Sequence, residues 1–205
     1  MVSTANLGRM MGDRLHSETA DSFGGSALAP TVLEKDLPRP NWRSRKLPRI
    51  DRLKAYWEER RGSRLVPLRQ DIDPTDLKDL LPYIIIGELQ RNPFRVRYRL
   101  GGAAVNDALG YNIAGRYLDE MDVAGGQDTW TGVYKRAMES AQPVFGCTVA
   151  TLSNVTMFTC EFAVFPISQS GDLVYQCLEI ENWEAEKGSA HYNDTRLEWV
   201  VTVLP

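Results

Sequence analysis

The sequence predicts an α+β domain in which a five-stranded antiparallel sheet carries helices on one face. Two observations lead to this prediction. Segments with the composition and alternation of strands form two groups, at residues 83–100 and 144–183, and short turns separate the strands within each group. The residues between the two groups have helical spacing instead. The order is therefore two strands, short helices, one longer helix and three strands.

The first two strands are predicted to form a hairpin. Tyr83 to Leu89 opens with the apolar run Tyr83 to Ile86 and is a candidate for a buried strand, and Arg91 to Pro93 is a turn. From Phe94 to Leu100, apolar residues alternate with three arginines. We expect these arginines on a solvated outer face, the alternative being a site for a carboxylate or a phosphate.

The longest helix is predicted at Gln127 to Ala141, where apolar residues follow the spacing of a helix packed on a sheet. These residues are Trp130, Val133, Tyr134, Ala137, Met138 and Ala141. Three strand-like runs follow, at Val144 to Leu152, Val155 to Phe165 and Leu173 to Trp183. Turn residues separate these runs, so we expect a three-stranded meander.

An amphipathic helix is predicted ahead of the hairpin, from Arg49 to Arg61. Ile50, Leu53 and Trp57 fall on one helical stripe, and Gly62 suits the C-terminal cap. An apolar stripe needs a surface that covers it. We expect these three residues to form the interface of a homodimer, the alternative being that the stripe packs onto its own domain.

The chain is predicted to have three parts. Residues 1–48 mix Gly, Ser, Asp and Pro without sustained periodicity, which is typical of a disordered arm. Residues 49–183 form the folded domain with its flanking helix. Residues 184–205 are a C-terminal extension that is polar until Trp199 to Leu204, which is either an extra strand or a docking tail.

Six short stretches follow one another along the folded domain. They are Ala55-Tyr-Trp57, Pro67-Leu-Arg69-Gln-Asp71-Ile-Asp73-Pro74, Leu80-Leu-Pro82, Arg97-Tyr-Arg99-Leu100-Gly101, Gly110 and Gly115-Arg-Tyr117-Leu118. In this order they resemble one bacterial PAS subfamily, PAS_5, which is found mainly in alphaproteobacteria. The resemblance covers about residues 50–183 and departs from the subfamily pattern at Asn112 and at Gln142-Pro143. It implies the PAS fold and a sensory, signalling or protein-interaction role.

The residue types argue against an enzyme. The only histidines, His16 and His191, lie in the arm and in the C-terminal extension, so a Ser-His or Cys-His pair finds no histidine in the core. Asp71 and Asp73 precede Pro74 as a helix cap does, which explains them better than a metal site. We expect no catalytic or metal-binding residues, with a small enzyme as the less favoured class.

The cysteines and the hydropathy favour a cytoplasmic protein without a membrane span. Cys147, Cys160 and Cys177 are odd in number, lack CxxC spacing and lie in predicted strands, as structural thiols in a reducing compartment do. No apolar run approaches the roughly 20 residues of a membrane helix. Residues 1–25 also lack the pattern of a secretory signal.

Charge is distributed unevenly along the chain. Residues 35–69 carry 12 Lys or Arg against 4 acidic residues, although the whole chain has a net charge of -3. Within the basic segment 39–69, Trp42, Tyr56 and Trp57 are interleaved with the cations, which is typical of a nucleic-acid or membrane-surface binder. The acidic remainder argues against nucleic acid, and solvated charge on a linker is the commoner explanation of such a segment. Binding to a nucleic acid or a membrane surface is therefore the less favoured alternative to the sensory function.

The resemblance also restricts the cofactor. Haem-binding PAS domains commonly use a core histidine, and none occurs between Ser17 and Ala190. Flavin photosensors of the light-oxygen-voltage type place a reactive cysteine on a helix in an Asn-Cys-Arg-Phe sequence, whereas the cysteines here lie in predicted strands. We therefore expect neither a histidine-ligated haem nor a covalently attached flavin.

A small noncovalent ligand is the remaining expectation. In the PAS plan the sheet and the long helix enclose a small cavity. The residues that we expect to line it are Tyr98, Tyr117, Trp130, Tyr134 and Cys177. The alternative is that these side chains simply fill the core. The sequence thus predicts a noncatalytic sensory or interaction module that forms a homodimer and acts through an unidentified signalling partner.

Overall fold

The structure is a computed structural model that describes residues 47–121, 123, 125–152, 155–170, 173–185 and 198–203. The predicted arm at 1–48 lies outside this part of the chain except for its last two residues, as does most of the C-terminal extension. The described α-helices are α1 (Pro48–Arg61), α2 (Ala103–Leu109) and α3 (Gln127–Ser140). The described strands are β1 (Ile84–Arg91), β2 (Phe94–Gly101), β3 (Val144–Leu152), β4 (Val155–Ser168), β5 (Val174–Ala185) and β6 (Glu198–Val203).

The strands form one antiparallel sheet in the order β2-β1-β5-β4-β3-β6. The predicted hairpin is β1 and β2, and the predicted meander is β3, β4 and β5, which confirms the α+β fold class. The five predicted strands are joined by a sixth, because β6 pairs with β3. Of the two interpretations of Trp199 to Leu204, the extra strand is therefore confirmed.

Helices cover both faces of this sheet. Phe162 and Phe165 lie three residues apart on β4, so their side chains point to opposite faces. Phe162 stacks with Trp130 of α3 at a ring distance of 4.6 Å, and Phe165 contacts Trp57 of α1 at 6.2 Å. We call the face under α3 the inner face and the face under α1 the outer face.

Helix α3 carries the predicted apolar stripe. Trp130, Val133, Tyr134 and Ala137 are buried, whereas Lys135 on the opposite side of the helix is exposed. The i, i+3, i+4, i+7 spacing keeps the four buried side chains on one side of the helix. This stripe packs onto the inner face and confirms the predicted orientation of the helix.

Helix α1 packs onto the outer face through its own apolar stripe. Leu53 is 0% exposed and Trp57 is 2% exposed, and Ile50 is also buried. The Trp57 indole nitrogen donates a hydrogen bond to the backbone carbonyl of Pro166 at 2.7 Å. The helix ends at Gly62, whose φ of 56° is a conformation that glycine adopts at little cost.

This packing corrects the reasoning that led to the predicted dimer interface. That prediction assumed that the stripe of Ile50, Leu53 and Trp57 needs a second chain to cover it. The structure places β4 and β5 of the same chain against the stripe, which is the alternative interpretation. In this conformation the three side chains are not available to a partner, because the sheet already buries them.

Polar contacts fix the start of α1 against the sheet. The Arg49 guanidinium lies over the Tyr83 ring at 3.8 Å and donates a hydrogen bond to Oδ1 of Asn182 at 2.8 Å. Asn182 in turn donates to Oε2 of Glu161 at 3.2 Å. These contacts tie the first turn of α1 to β4, to β5 and to the segment that leads into β1.

The arginines of β2 lie on a solvated surface, as predicted. Arg97 and Arg99 are exposed, and both pair with Glu88 of β1, at 3.8 Å and 3.0 Å. Arg95 pairs with Asp119 at 2.7 Å. The triplet is therefore engaged in ion pairs with the chain's own acids, which is the arrangement of an outer face rather than of an anion site.

Candidate functional site

A buried polar cluster occupies the centre of the inner face. We call it the inner-face cluster, and its members are Tyr98, Tyr134, Cys177, Glu179 and Glu181. Glu179 is only 2% exposed. Acidic side chains are almost never fully buried unless they are paired, so a carboxyl in this position requires a structural or functional reason. The cluster is therefore the candidate functional site.

The alternation of β5 places the two acids of the cluster. Cys177, Glu179 and Glu181 project to the inner face, whereas Leu178 and Ile180 project to the outer face. Because β5 lies between β1 and β4 and helices cover both faces, both sets of side chains are buried. On a sheet with one solvated face, Glu179 and Glu181 could face water. In this sheet both faces are covered, so both acids lie in the core.

Tyr134 connects α3 to the cluster. Its hydroxyl donates a hydrogen bond to Oε2 of Glu179. The Tyr98 ring packs edge-on against the Tyr134 ring, with a centroid distance of 6.3 Å. Gly87 of β1 permits this close approach, since a Cβ at that position would lie 2.9 Å from the Tyr134 ring. Helix α3 and the strands β1, β2 and β5 thus contact one another around this hydrogen bond.

The electrostatic environment favours the neutral acid form of Glu179. Burial raises its pKa well above the usual range, the nearby carboxyl of Glu181 raises it further, and the hydrogen bond from Tyr134 opposes the rise. Burial likewise raises the pKa of the Tyr98 and Tyr134 hydroxyls, and the negative charge that Glu179 carries once it ionises raises both further. The direction of these shifts favours the protonated forms of Glu179, Tyr98 and Tyr134.

The three cysteines are structural thiols in strands, as predicted. Cys147, Cys160 and Cys177 lie on β3, β4 and β5, and all three are buried. Burial raises the pKa of the Cys160 and Cys177 thiols, and neighbouring acids raise both further. A raised pKa disfavours the thiolate, which is the nucleophilic form. Cys177 therefore contributes a small apolar side chain to the cluster.

The structure brings together some of the five residues predicted to line a cavity. Tyr98, Tyr134 and Cys177 share the inner-face cluster. Trp130 is on the same face, one helical turn before Tyr134, and its ring packs against Phe162 of β4, which is not a member of the cluster. Tyr117, the fifth of these residues, lies outside the cluster.

Tyr117 lies on the far side of β2 from the cluster. Its hydroxyl accepts a hydrogen bond from the exposed Gln90 side chain at 3.1 Å, and the Arg95 guanidinium covers its ring at 3.8 Å. The backbone of Tyr117 bridges to Arg97 at the edge of the sheet. This edge bridge holds the ring beside the solvated arginines, so Tyr117 does not share an enclosure with Tyr134.

The sequence analysis missed Glu179 and Glu181. The signal was present, because two acids at alternate positions interrupt a strand that was predicted to be buried. Alternating acids usually mark the solvated face of a strand. Only the placement of α1 on the outer face and α3 on the inner face shows that this strand has no solvated face.

Of the two acids before Pro74, Asp73 acts as a helix cap, as predicted, whereas Asp71 pairs with Arg64 instead. The Asp73 carboxylate accepts a hydrogen bond from the backbone N–H of Thr75 at 2.8 Å. Within the described ranges, no group of three or more His, Cys, Asp or Glu side chains could hold a metal ion. His16 and His191 lie outside those ranges, so the expectation about a histidine-ligated haem stays a prediction.

The described part of the basic segment, residues 47–69, is engaged within the chain. Tyr56 and Trp57, two of the three predicted stacking residues, are buried, and Trp42 lies outside the described residues. Arg52 and Arg60 pair with acids of the following segment at 3.1 Å and 2.7 Å. Neither Tyr56 nor Trp57 therefore presents its ring as a stacking platform for a nucleic acid. The helices of the described ranges are also too short or too polar to span a bilayer.

A change of Glu179→Gln tests the neutral state of the cluster. The folded pKa lies above the unfolded value of about 4.3, so between these two pKa values the folded state binds more protons and stability falls as the pH rises. Glutamine cannot ionise, and its carbonyl still accepts the Tyr134 hydrogen bond. Above about pH 4.3, we expect the native protein to lose stability as the pH rises, whereas the variant should not show this loss. The free energy of unfolding of the variant should therefore increase relative to that of the native protein.

Chemical denaturation at a series of pH values measures this difference. The exposed Glu139→Gln, on α3, serves as the control and should leave the pH dependence of the native protein unchanged. Parallel stability curves for the native protein and Glu179→Gln would contradict a neutral Glu179, because an ionised Glu179 with an ordinary pKa adds no pH dependence in this window.

The arrangement defines a class of protein. A sheet in the order β2-β1-β5-β4-β3, with α3 packed on its inner face, is the plan of a PAS domain. The sequence profile of the family PAS_5, described as a PAS domain, matches residues 45–178, which is more than half of the chain. The chain belongs to this family, which confirms the predicted resemblance. No curated protein and no solved structure matches it significantly.

Proposed function

We propose that this protein is a noncatalytic PAS-type sensory or protein-interaction module. Membership in the PAS domain family supports a sensory or signalling role. The observation that carries the proposal is the hydrogen bond from Tyr134 of α3 to the buried Glu179 of β5. It joins the helix that covers the inner face to a central strand, so a change at this bond reaches both elements.

The inner-face cluster links ligand binding to the position of α3, because Tyr134 of that helix is one of its members. A neutral carboxyl both donates and accepts hydrogen bonds, and so do the two tyrosine hydroxyls. A small molecule with an amide, hydroxyl or amine group would bind there noncovalently by exchanging hydrogen bonds with Glu179, Tyr98 and Tyr134. When Tyr134 loses its partner, α3 is free to shift against the sheet, and small helix shifts are a common element of signalling transitions.

The residue types favour a noncatalytic role. PAS domains, the family to which the chain belongs, are generally noncatalytic sensory modules. Both histidines of the chain lie outside the described residues, so the described core contains no Ser-His or Cys-His pair. The output of such a module takes place through another protein chain, which is a second copy or an unidentified signalling partner.

Native mass spectrometry tests the ligand-binding form of this proposal. The native protein, purified without denaturation, is expected to carry a small molecule that its denatured mass lacks. Glu179→Gln and Tyr134→Phe should reduce the retained fraction, whereas Lys135→Ala, on the exposed side of α3, should not. Equal native and denatured masses, also after incubation with the small-molecule filtrate of a cell extract, would contradict a ligand sensor and leave only the interaction role.

A further inference from the structure

Strand β6 extends the sheet beyond the residues that match the family profile, which end at 178. It pairs with β3 over six residues, from Gly146 opposite Val203 to Thr151 opposite Glu198. Val201 and Val203 pack against the hydrophobic core, and Val201 lies so close to Gly125 that a Cβ there would clash. Strand β6 is therefore held firmly on its β3 side.

The two edges of the sheet differ in how they are protected. At the β2 edge, the backbone N–H of Tyr98 donates to the carbonyl of Arg116 at 2.9 Å, and Gly115 donates to the carbonyl of Tyr98 at 2.7 Å. This loop occupies the middle of the edge, and the arginines of β2 add charge. Covered and charged edges of this kind resist pairing with other chains.

No described residue gives the β6 edge these protections. Among the described residues, the only strand that pairs with β6 is β3, so the outer N–H and C=O groups of β6 have no strand partner in that part of the chain. Its sequence, Glu-Trp-Val-Val-Thr-Val, carries one charge at the start and contains neither proline nor glycine. A short run of β-branched and aromatic residues at an open edge is a template for a further strand.

We propose that the outer edge of β6 is a self-association surface, on which β6 of a second copy of this chain pairs antiparallel about a two-fold axis. Two-fold symmetry places the same strand on both sides, so each copy supplies the free backbone groups that the other needs. The two six-stranded sheets become one continuous sheet, and both open edges disappear. The strand carries no run of charge that would select a partner of opposite sign.

The size of this surface sets its strength. Six residues a side bury less than the roughly 800 Å² per partner of a standard stable interface, so the dimer depends on concentration. This interface does not involve the α1 stripe, and it does not rest on the proposed sensory function. A ligand sensor without a β6 dimer and a β6 dimer without a ligand are distinct results.

Light scattering over a range of protein concentrations tests the proposal with two matched variants. Thr202 of β6 is exposed, so Thr202→Lys adds a positive charge to the edge strand. In a two-fold dimer both copies carry this charge, and the two like charges repel each other across the paired strands. Leu100 of β2 is 38% exposed on the opposite edge strand, so Leu100→Lys is the control. We expect a dimer for the native chain, a dissociation constant raised by about fivefold or more for Thr202→Lys, and no change for Leu100→Lys.

Hydrogen exchange on the native chain supplies an independent measurement, which does not depend on how a variant folds. The amides of β6 should gain protection as the protein concentration rises, while those of β2 should not. A native chain that stays monomeric at high micromolar concentration, a dimer that Thr202→Lys leaves intact, or β6 amides whose exchange ignores concentration would each overturn the proposal.

Discussion

Val133→Asp is expected to lower the free energy of unfolding by about 3 kcal/mol or more, which is among the largest effects of a single change in this domain. Val133 lies on the stripe of α3 that packs onto the inner face, and it is buried. A carboxylate in this position either loses its hydration without gaining a partner or takes up a proton at a cost in free energy. In both cases the folded state is penalised.

The matched control is Lys135→Ala on the exposed side of the same helix. Lys135 makes only a loose pair with Glu139 at 4.0 Å, and exposed pairs of this kind contribute little. We expect its effect to stay within about 0.5 kcal/mol. Urea denaturation measures both variants. If the two substitutions were tolerated equally, α3 would not present Val133 to the sheet and would pack on the inner face through other residues.

Leu53→Glu is expected to have a comparable effect on the outer face. Leu53 is 0% exposed between α1 and the sheet, so glutamate there buries a charge and displaces a well-packed side chain. If the α1 stripe formed a dimer interface, Leu53→Glu with Trp57→Glu would give a folded monomer. The structure predicts instead that these changes unfold α1 from the sheet and destabilise the whole domain by about 3 kcal/mol or more.

Circular dichroism and thermal melting distinguish these outcomes. Glu59→Gln, at an exposed position of the same helix, is the control and should melt like the native protein. A variant Leu53→Glu that keeps the native melting temperature and changes only its oligomeric state would show that the α1 stripe contacts a second chain in solution. That result would contradict the packing of α1 described here.

The elements whose periodicity follows directly from their burial could be predicted from the sequence. The alternation in β2 and the apolar stripe of α3 each leave a pattern in the chain, because one side of each element faces the core and the other faces water. The strands of the meander were also predictable, since apolar runs between turn residues have few other structures available.

The partners of these surfaces could not be predicted in the same way. The stripe of α1 shows that Leu53 and Trp57 are covered, but the same pattern would arise against a second chain or against the chain's own sheet. The sequence of β5 shows two acids at alternate positions, but it does not show that helices cover both faces. Tyr117 was misplaced for a similar reason, because residue type says nothing about the side of β2 on which a loop returns.

The state of Glu179 is the central claim, because the proposed sensing element depends on a neutral carboxyl held by Tyr134. Carbon NMR of protein labelled at the glutamate carboxyl groups measures that state directly. We expect one carboxyl resonance of the native protein to remain in the protonated position at neutral pH and to vanish in Glu179→Gln, since burial and Glu181 raise the pKa of Glu179. A spectrum in which every glutamate is ionised at neutral pH and titrates with a pKa of about 4.3 would contradict a neutral Glu179.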